Sequence, residues 1–256
     1  MLETFSRRDV VKGIASGVPL AAVLADAGLA RAAASGLETV TLTTIGGRSV
    51  SGALAMPSGK VKGGVLLIHE WWGLNDQIKA VAAELANQGY MALAADLYNG
   101  KVATNADDAR AYSRGTDPVA ATDTVKSWVE WLRGHEKGTG KVGTVGWCYG
   151  GGWSLNASLA TPVDATVIYY GRVNKKAHEL AALKGPVLGH FGTLDQYINE
   201  EMVGGFELAM SKSGKRFTIY WYKANHAFAN PTGNSYAEGD AKLAWERTLA
   251  FFAKYL

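Results

Sequence analysis

The sequence predicts a single α/β domain, built as a mostly parallel, doubly wound sheet with an N-terminal antiparallel hairpin. Short apolar segments alternate with helix-like patterns from residue 64 to residue 255. Before them, residues 38–56 alternate apolar and polar side chains about a Gly-Gly turn, as a hairpin does. The length of 256 residues suffices for one sizeable core. Only residues 103–134 leave room for a cap, so no large cap is expected.

The first half of the chain predicts the hairpin and one strand–helix–strand unit. Residues 38–45 and 48–56 form the hairpin, with one face toward water. Residues 63–69 are a continuous apolar run, as in a central parallel strand, and Asn75 is placed to cap the helix that follows. Residues 90–97 form a second apolar strand, which completes the unit.

The second half continues this alternation. The periodicity predicts helices over 107–114, 118–134, 153–157, 175–183, 200–211 and 237–255, and strands over 142–147, 165–170, 186–191 and 216–222. The pattern shows neither a repeat nor a second domain boundary, so residues 38–256 are assigned to one domain.

The composition excludes several classes of protein. Hydrophobic residues make up 48% and charged residues 19%, which is typical of a globular rather than a disordered chain. The net charge of +3 is too small to indicate a nucleic-acid partner. The single cysteine excludes an internal disulfide and a cysteine metal cluster, and no histidine–acid pattern indicates a metal or another cofactor. We expect a monomer or a weak dimer.

Residues 1–34 are predicted to be an export signal. Ser6 to Lys12 resembles the twin-arginine motif, a modestly apolar stretch runs from Ile14 to Ala25, and small residues around Ala32 offer cleavage sites. This interpretation implies the twin-arginine translocase as a partner and a periplasmic location. The stretch is shorter than the about 20 apolar residues of a transmembrane helix, so no stable membrane anchor is expected. The alternative is an ordinary amphipathic N-terminal helix.

The segment from Val142 to Gly152 carries the strongest functional signal. A β-branched strand ends in Gly146-x-Cys148-x-Gly150 and passes into a helix, which is the pattern of a nucleophile elbow with cysteine in place of serine. Side chains at the two glycines would collide with the neighbouring strand and helix. At the helix N-terminus, unpaired N–H groups and the helix dipole favour a thiolate. The alternative is a buried cysteine beside a glycine-rich turn.

Two loops downstream of the elbow carry the partners that a nucleophile needs. Asp195 follows one predicted strand and His226 follows the next, so the chain order is nucleophile, acid, histidine. In this interpretation His226 takes the thiol proton or holds the thiolate, and Asp195 fixes the tautomer of His226. The alternative for Asp195 is a turn or helix-cap residue. His190, inside a strand, is interpreted as a core residue.

The loop after the first parallel strand supplies the remaining candidates. The backbone amides of Trp71 and Tyr149 are assigned to an oxyanion hole, one from this loop and one from the residue after the nucleophile. Glu70 stands among aromatic residues, where desolvation would raise its pKa and let it hold a proton near the thiol. The alternative for Glu70 is a solvated loop glutamate.

Together these motifs resemble the dienelactone hydrolase family over about residues 38–255. The resemblance is carried by His69-Glu70-Trp71-Trp72-Gly73, Asp96-Leu97-Tyr98, Gly146-Trp147-Cys148-Tyr149-Gly150-Gly151, Tyr169-Tyr170-Gly171, Asp195 and His226-Ala227-Phe228. It implies a single-domain α/β-hydrolase that opens unsaturated lactones with a Cys148–His226–Asp195 triad. It also implies that Glu70 pairs with the cysteine at rest and releases a thiolate when substrate binds.

The residues expected to bind substrate depart from the family pattern. The family's characterised lactone hydrolases clamp the substrate carboxylate with arginines, one of them four residues past the catalytic histidine, where this chain has Asn230. Asparagine cannot replace that charge, so a broader or different ester or lactone substrate is expected. The candidates for substrate contact are Arg110 (or Arg114), Tyr112, Tyr170, Trp72 and Phe228, with Arg172 as an alternative cation.

The sequence therefore predicts a hydrolase that opens a lactone or ester through a thioester on Cys148. It leaves open a broad carboxylesterase that acts on non-anionic acyl substrates. The alternative from another class is a non-catalytic exported binding protein with an aromatic pocket of Trp71, Trp72, Trp147 and Trp153, which would bind ligand without turnover.

Overall fold

The computed structural model describes residues 18–256. Over these residues, eight strands form one sheet in the order β1-β2-β4-β3-β5-β6-β7-β8. The strands are β1 Glu38–Thr43, β2 Ser49–Ala55, β3 Gly64–Ile68, β4 Met91–Ala95, β5 Val142–Trp147, β6 Ala165–Tyr169, β7 Val187–Gly192 and β8 Phe217–Tyr222. β2 pairs antiparallel with β1 and with β4, and every other pair in the sheet is parallel. The predicted hairpin and mostly parallel sheet are confirmed.

Helices connect the strands, as the alternating pattern predicts. They are α1 Leu20–Ala25, α2 Ala27–Ala34, α3 Asp76–Asn87, α4 Ala106–Arg114, α5 Pro118–Gly134, α6 Tyr149–Ala160, α7 Ala177–Leu180, α8 Glu200–Lys212 and α9 Glu238–Tyr255. The side chains of Asn75, Asn105 and Asp117 accept hydrogen bonds from first-turn amides of α3, α4 and α5. These caps explain why the three helices begin where the sequence predicts.

Apolar layers on both faces of the sheet hold the helices in place. On one face, Val81 of α3 and Phe252 of α9 share a core with Leu67. On the other face, Trp128 of α5 shares a core with Leu66. Leu66 and Leu67 are neighbours in β3 and both are fully buried, as a strand covered on both faces requires.

The parallel strands bring the predicted site residues to one edge of the sheet. Glu70, Cys148, Asp195 and His226 follow β3, β5, β7 and β8, respectively. Because these strands run in the same direction, their carboxyl ends lie at the same edge. Residues that are far apart in the sequence therefore converge there.

Residues 18–34 pack against the domain in this structure. Helices α1 and α2 lie on α3, where Val23, Ala30 and Ala33 form a small apolar cluster with Ala80. The candidate cleavage residues around Ala32 therefore lie within α2. The twin-arginine motif lies outside the described residues, and the export signal stays a prediction. No helix within residues 18–256 is long and apolar enough to cross a membrane.

Candidate active site

Cys148 lies at a sharp turn between β5 and α6. Its backbone has φ 53° and ψ −115°, which is strained for a residue with a side chain, and it is the N-cap residue of α6. A Cβ at Gly146 would overlap the carbonyl of Gly150, and a Cβ at Gly150 would overlap the carbonyl of Ile68 in β3. The two glycines therefore permit the close approach of strand and helix that places the thiol at the sheet edge.

The thiol, an imidazole and a carboxylate form one connected chain. Sγ of Cys148 lies 3.1 Å from Nε2 of His226, and Nδ1 of His226 lies 2.7 Å from Oδ2 of Asp195. These distances suit a nucleophile, a base, and a group that orients the base. The structure thus brings together the three residues that the chain order singles out.

Asp195 is buried and accepts several hydrogen bonds. Its second oxygen, Oδ1, accepts bonds from the backbone amides of Tyr197 at 2.8 Å and Ile198 at 2.9 Å. Burial alone would raise the pKa of Asp195, but the hydrogen bonds from His226 and from these two amides lower it. Asp195 is therefore held as a carboxylate.

The imidazole of His226 is biased toward its protonated form. Burial disfavours the cation, yet the hydrogen bonds to Asp195 and Cys148, together with the charges of both groups, raise the pKa of His226 to about 10. The rings of Tyr170 and Tyr197 lie edge-on to the imidazole, at centroid distances of 5.2 Å and 5.6 Å. This environment favours the imidazolium form of His226.

Glu70 is a second buried carboxyl group of the site. Its Oε2 accepts a hydrogen bond from Nδ2 of Asn230 at 2.8 Å. Desolvation by burial raises the pKa of Glu70, although the Asn230 amide and the charge of His226 oppose the rise. Burial and the charge of Glu70 in turn raise the pKa of the buried Tyr170 hydroxyl. Glu70 is thus a desolvated carboxyl group, not a surface charge.

The side chains of Glu70, Cys148 and His226 line a cleft of about 1140 Å³. Aromatic side chains make up much of its lining: Trp71, Trp72, Tyr149, Trp153, Tyr170 and Tyr197. The cations Arg110 and Arg172 also line the cleft. Nη1 of Arg110 lies 2.8 Å from the carboxylate of Asp107, so this guanidinium is already paired. Of the predicted substrate contacts, Arg110, Trp72 and Tyr170 therefore lie in the cleft.

Phe228 does not face the cleft. Its side chain is fully buried and packs in the core, with its ring 4.9 Å from that of Tyr222. The preceding residue, Ala227, has a φ of 62°, in the left-handed region. The assignment of Phe228 to substrate binding is therefore wrong.

Tyr112 also lies away from the cleft. Its ring packs edge-on against Tyr98 at 5.9 Å and lines a separate cavity of about 330 Å³. Helix α4 places Tyr112 and Arg110 two positions apart, and residues at that spacing do not share a helix face. Tyr112 therefore lines the neighbouring cavity, and its assignment to substrate binding stays a prediction.

The two residues assigned to the oxyanion hole both line the cleft. Tyr149 is the first residue of α6, where a backbone amide has no acceptor within the helix. The loop that carries Trp71 is held by His69, whose Nδ1 lies 2.6 Å from the Glu70 carbonyl and whose Nε2 accepts a bond from the Leu97 amide. Burial lowers the pKa of His69, so the ring stays neutral with its proton on Nδ1.

Sequence reasoning misses two contacts of the site. It marks Asn230 only as the position where the family has an arginine, whereas the structure makes Asn230 an amide donor to Glu70. It does not mark Tyr197, whose ring borders His226 and whose amide binds Asp195. The position of Tyr197 two residues after the catalytic candidate is the one signal that points to it.

Other titratable residues have structural contacts. His190 is buried in β7 and its ring nitrogens contact the hydroxyls of Tyr222 at 2.8 Å and Thr248 at 3.1 Å, which confirms its place in the core. Burial and the charge of Arg247 lower the pKa of His190 to about 3. Among residues 18–256, no group of three His, Cys, Asp or Glu side chains is arranged to hold a metal ion.

Known proteins share this architecture. The model of the dienelactone hydrolase family matches residues 50–256. Protein usf of Aquifex pyrophilus is 33% identical over 206 residues, which cover 75% of this chain and 88% of the relative. The carboxymethylenebutenolidase of Pseudomonas putida is 26% identical over 231 residues, covering 84% of this chain and 96% of the relative. A crystal structure from Klebsiella pneumoniae, assigned as a dienelactone hydrolase, has a TM-score of 0.77 at 25% identity and covers 86% of this chain and 98% of its own.

The family match includes every strand that positions the site, from β3 to β8. The relatives are covered over most of their own length, so the similarity extends across the whole domain and not only the motifs. The resemblance seen in separate sequence motifs is thereby confirmed. The chain belongs to the dienelactone hydrolase family and is a carboxylic ester hydrolase with an α/β-hydrolase fold.

Proposed function

We propose that this chain opens a lactone or ester through a thioester on Cys148, with His226 as the base and Asp195 as its orienting carboxylate. The observation that supports this proposal is the connected chain from Sγ through the imidazole to the carboxylate, with contacts of 3.1 Å and 2.7 Å. A cysteine that only fills space needs neither a strained elbow nor an anchored histidine. We also propose, from the sequence alone, export through the twin-arginine translocase.

In the first half of the proposed reaction, the Cys148 thiolate attacks the carbonyl carbon and forms the C–S bond. The carbonyl electron pair moves to oxygen, and the amides of Trp71 and Tyr149 are proposed to stabilise the resulting oxyanion. When the carbonyl re-forms, the C–O bond breaks and the His226 imidazolium gives its proton to the departing oxygen. In a lactone this oxygen stays attached to the acyl chain.

In the second half, water hydrolyses the thioester. His226, now neutral, takes a proton from water while the water oxygen attacks the carbonyl carbon. Collapse of this second intermediate expels the Cys148 thiolate and restores the imidazolium beside it. Asp195 remains a carboxylate throughout and stabilises the imidazolium.

Glu70 is proposed to act on the thiol rather than on the carbonyl. Its burial raises its pKa, so it keeps a proton to a higher pH than an exposed glutamate does. It shares the cleft with Cys148 and His226, so its charge changes the balance between thiol and thiolate. This role makes Glu70 a modulator of the nucleophile.

The cleft supports substrates that are larger and less charged than a small anionic lactone. Its volume of about 1140 Å³ exceeds the roughly 300–1000 Å³ of ordinary small-molecule sites. Asn230 is a neutral amide already bonded to Glu70, and Arg110 is paired with Asp107. Asn230 cannot clamp a carboxylate as an arginine would, and the cleft cations Arg110 and Arg172 lie at other positions. We therefore propose a broad preference for neutral esters and lactones.

The test is hydrolysis of dienelactone, its methyl ester and p-nitrophenyl acetate by the full chain and by Cys148→Ala. We expect turnover of all three substrates, a fall in kcat of about 10⁴-fold or more in Cys148→Ala, and a mass increase on the Cys148 peptide after rapid quenching. Strict dependence on the free carboxylate would contradict the proposed specificity. Binding seen by tryptophan fluorescence without turnover would instead favour the binding protein.

A further inference from the structure

A series of hydrogen bonds connects the N-terminal helix α1 with the Glu70 carboxyl group. Gln77, in the first turn of α3, donates from Nε2 to the Leu24 carbonyl at 2.9 Å and to Oγ1 of Thr232 at 3.1 Å. Thr232 donates from Oγ1 to Oδ1 of Asn230 at 2.9 Å. Asn230 then donates from Nδ2 to Oε2 of Glu70 at 2.8 Å. We refer to Gln77, Thr232 and Asn230 as the amide relay.

The direction of each bond in the amide relay is set by chemistry. An amide nitrogen donates only, and the two contacts of Gln77 use both of its Nε2 protons. Since Oγ1 of Thr232 accepts from Gln77, its own proton turns to Asn230. The backbone amide of Thr232 donates to the same Oδ1 at 3.0 Å. With Oδ1 occupied twice, the NH₂ group of Asn230 is turned toward Glu70.

The amide relay runs from the surface to the interior. Thr232 is exposed, Gln77 and Asn230 are partly buried, and Glu70 is only 7% exposed. A hydrogen bond has its largest effect where water cannot replace it, so the bond from Asn230 to Glu70 is the important one. The outer bonds act by holding the orientation of the Asn230 amide.

Helix α1 supplies the fixed end of the amide relay. Leu24 lies in the last turn of α1, where a backbone carbonyl accepts no hydrogen bond from within the helix. The Gln77 side chain donates a hydrogen bond to this carbonyl instead. The helix is held on α3 by the apolar cluster of Val23, Ala30 and Ala80. Docking of the N-terminal segment therefore places one acceptor of Gln77.

We propose that Gln77, Thr232 and Asn230 are positioning residues that hold the Glu70 carboxyl group as an acceptor, and that docked α1 orients the first of them. This inference rests on the proposed role of Glu70 beside Cys148. In the chain that retains residues 18–34, before any cleavage of the proposed export signal, it couples the N-terminal segment to the reactivity of the thiol. When α1 leaves α3, Gln77 loses an acceptor and its amide becomes free to turn away from Thr232.

The charged and titratable groups near both ends of the amide relay are identifiable. Around Glu70 stand His226, Tyr170 and Cys148. Around Gln77 stand Asp76 and Lys79 of α3 and Arg31 of α2. The three groups near Gln77 are partly or largely exposed, so salt screens them. An effect that persists at high ionic strength therefore belongs to the relay.

The test measures the rate of Cys148 alkylation by iodoacetamide in the full chain as a function of pH, between pH 4.5 and 9. The change in rate with pH that is lost in Glu70→Gln is the step that reports the titration of Glu70. Gln77→Glu places an acceptor beside the Thr232 hydroxyl, which can then donate to it instead of to Asn230. An acidic residue in the first turn of a helix does not destabilise the helix. Gln77→Leu removes the donor without adding charge. Both weaken the bond to the carboxylate, so we expect the step to move up by about 0.5–1 pH unit, or roughly threefold to tenfold in rate at a fixed pH.

Three further variants complete the design. Val23→Asp places a charge in the apolar cluster and undocks α1, so we expect the pH of the step to rise by less than in the Gln77 variants. Thr232→Ser keeps the hydroxyl, so we expect the step at the wild-type pH. Gln88→Glu adds a charge to the other end of α3, outside the relay, and is the matched control with no shift. A wild-type pH profile in both Gln77 variants, or in Glu70→Gln, overturns the inference. This result leaves the proposed hydrolysis through Cys148 unaffected. Equal inactivity of wild type and Cys148→Ala on every ester instead overturns the proposed function.

Discussion

The site holds two buried carboxyl groups in contrasting environments. Asp195 accepts bonds from an imidazole and two backbone amides, whereas Glu70 accepts its bond from the Asn230 side chain. Their exposures are similar, at 3% and 7%. Even so, burial raises the pKa of Glu70, while the donors around Asp195 overcome burial and lower its pKa. Desolvation outweighs the few donors to Glu70, whereas the donors around Asp195 outweigh its desolvation, so the two carboxyl groups differ in charge.

This contrast suits the two tasks proposed for the pair. A carboxylate that never takes a proton is a dependable partner for the His226 imidazolium. A carboxyl group whose pKa is raised can change its protonation state as substrate enters. Substitutions at Asp195 and Glu70 each remove one of the two carboxyl groups, and substitutions at Asn230 change the hydrogen bond that Glu70 accepts.

The largest effect is expected from Asp195→Asn. The amide keeps the shape of the side chain but offers a weaker acceptor and an added donor, so the imidazole loses its orientation and its charge partner. We expect kcat for p-nitrophenyl acetate to fall by roughly 10³–10⁴. The pKa of His226 should also fall from about 10 toward its ordinary value, which NMR of labelled histidine measures. A loss of activity below tenfold would argue against the orienting role.

A smaller effect is expected from Glu70→Gln, which makes Glu70 permanently neutral. We expect kcat/KM to fall by roughly tenfold to a hundredfold, below the range of a full general acid–base group. Because the pKa of Glu70 is raised, wild type keeps this proton to a higher pH than an exposed glutamate does. The variant should therefore match wild type best on the acidic side, where both are neutral, and diverge as pH rises. A constant ratio from pH 4.5 to 8 would contradict this titration.

The smallest effect is expected from Asn230→Arg, which places a cation beside Glu70. The guanidinium should lower the pKa of Glu70 and make the two carboxyl groups alike. It should also raise the preference for dienelactone over its methyl ester by about tenfold in kcat/KM. Asn230→Lys, which cannot form a bidentate pair, is the matched variant and should give a smaller change. An unchanged substrate ratio in both would show that position 230 does not set specificity.

The fold and the catalytic candidates could be predicted because their signals are local. Apolar runs mark β3 and β5, Asn75 caps α3, and the Gly146-x-Cys148-x-Gly150 pattern encodes its own turn. The parallel sheet then brings loops that follow consecutive strands to one edge. Each step depends on a few neighbouring residues, so one sequence is sufficient.

The remaining features depend on contacts that no local pattern encodes. Asn230 and Glu70 are 160 positions apart, and their hydrogen bond exists only because two separate loops meet. Ala227 has a positive φ and Phe228 is fully buried, and no local sequence pattern indicates either feature. The docking of α1 on α3 depends likewise on Val23 meeting Ala80. Loop and terminal geometry therefore had to come from the structure.

The close approach of backbones at the elbow also affects how this scaffold can diverge during evolution. Any Cβ at position 146 or 150 would overlap a carbonyl oxygen of the neighbouring backbone. Every substitution of these glycines therefore displaces the backbone of the elbow. Position 148 is different, because its strained backbone is held by its surroundings and serine carries the same Cβ as cysteine. One codon change can thus replace a thiol by an alcohol while the turn is inherited unchanged. On this elbow, backbone contacts constrain the two glycines, whereas the reactive atom at position 148 can be exchanged without changing the turn.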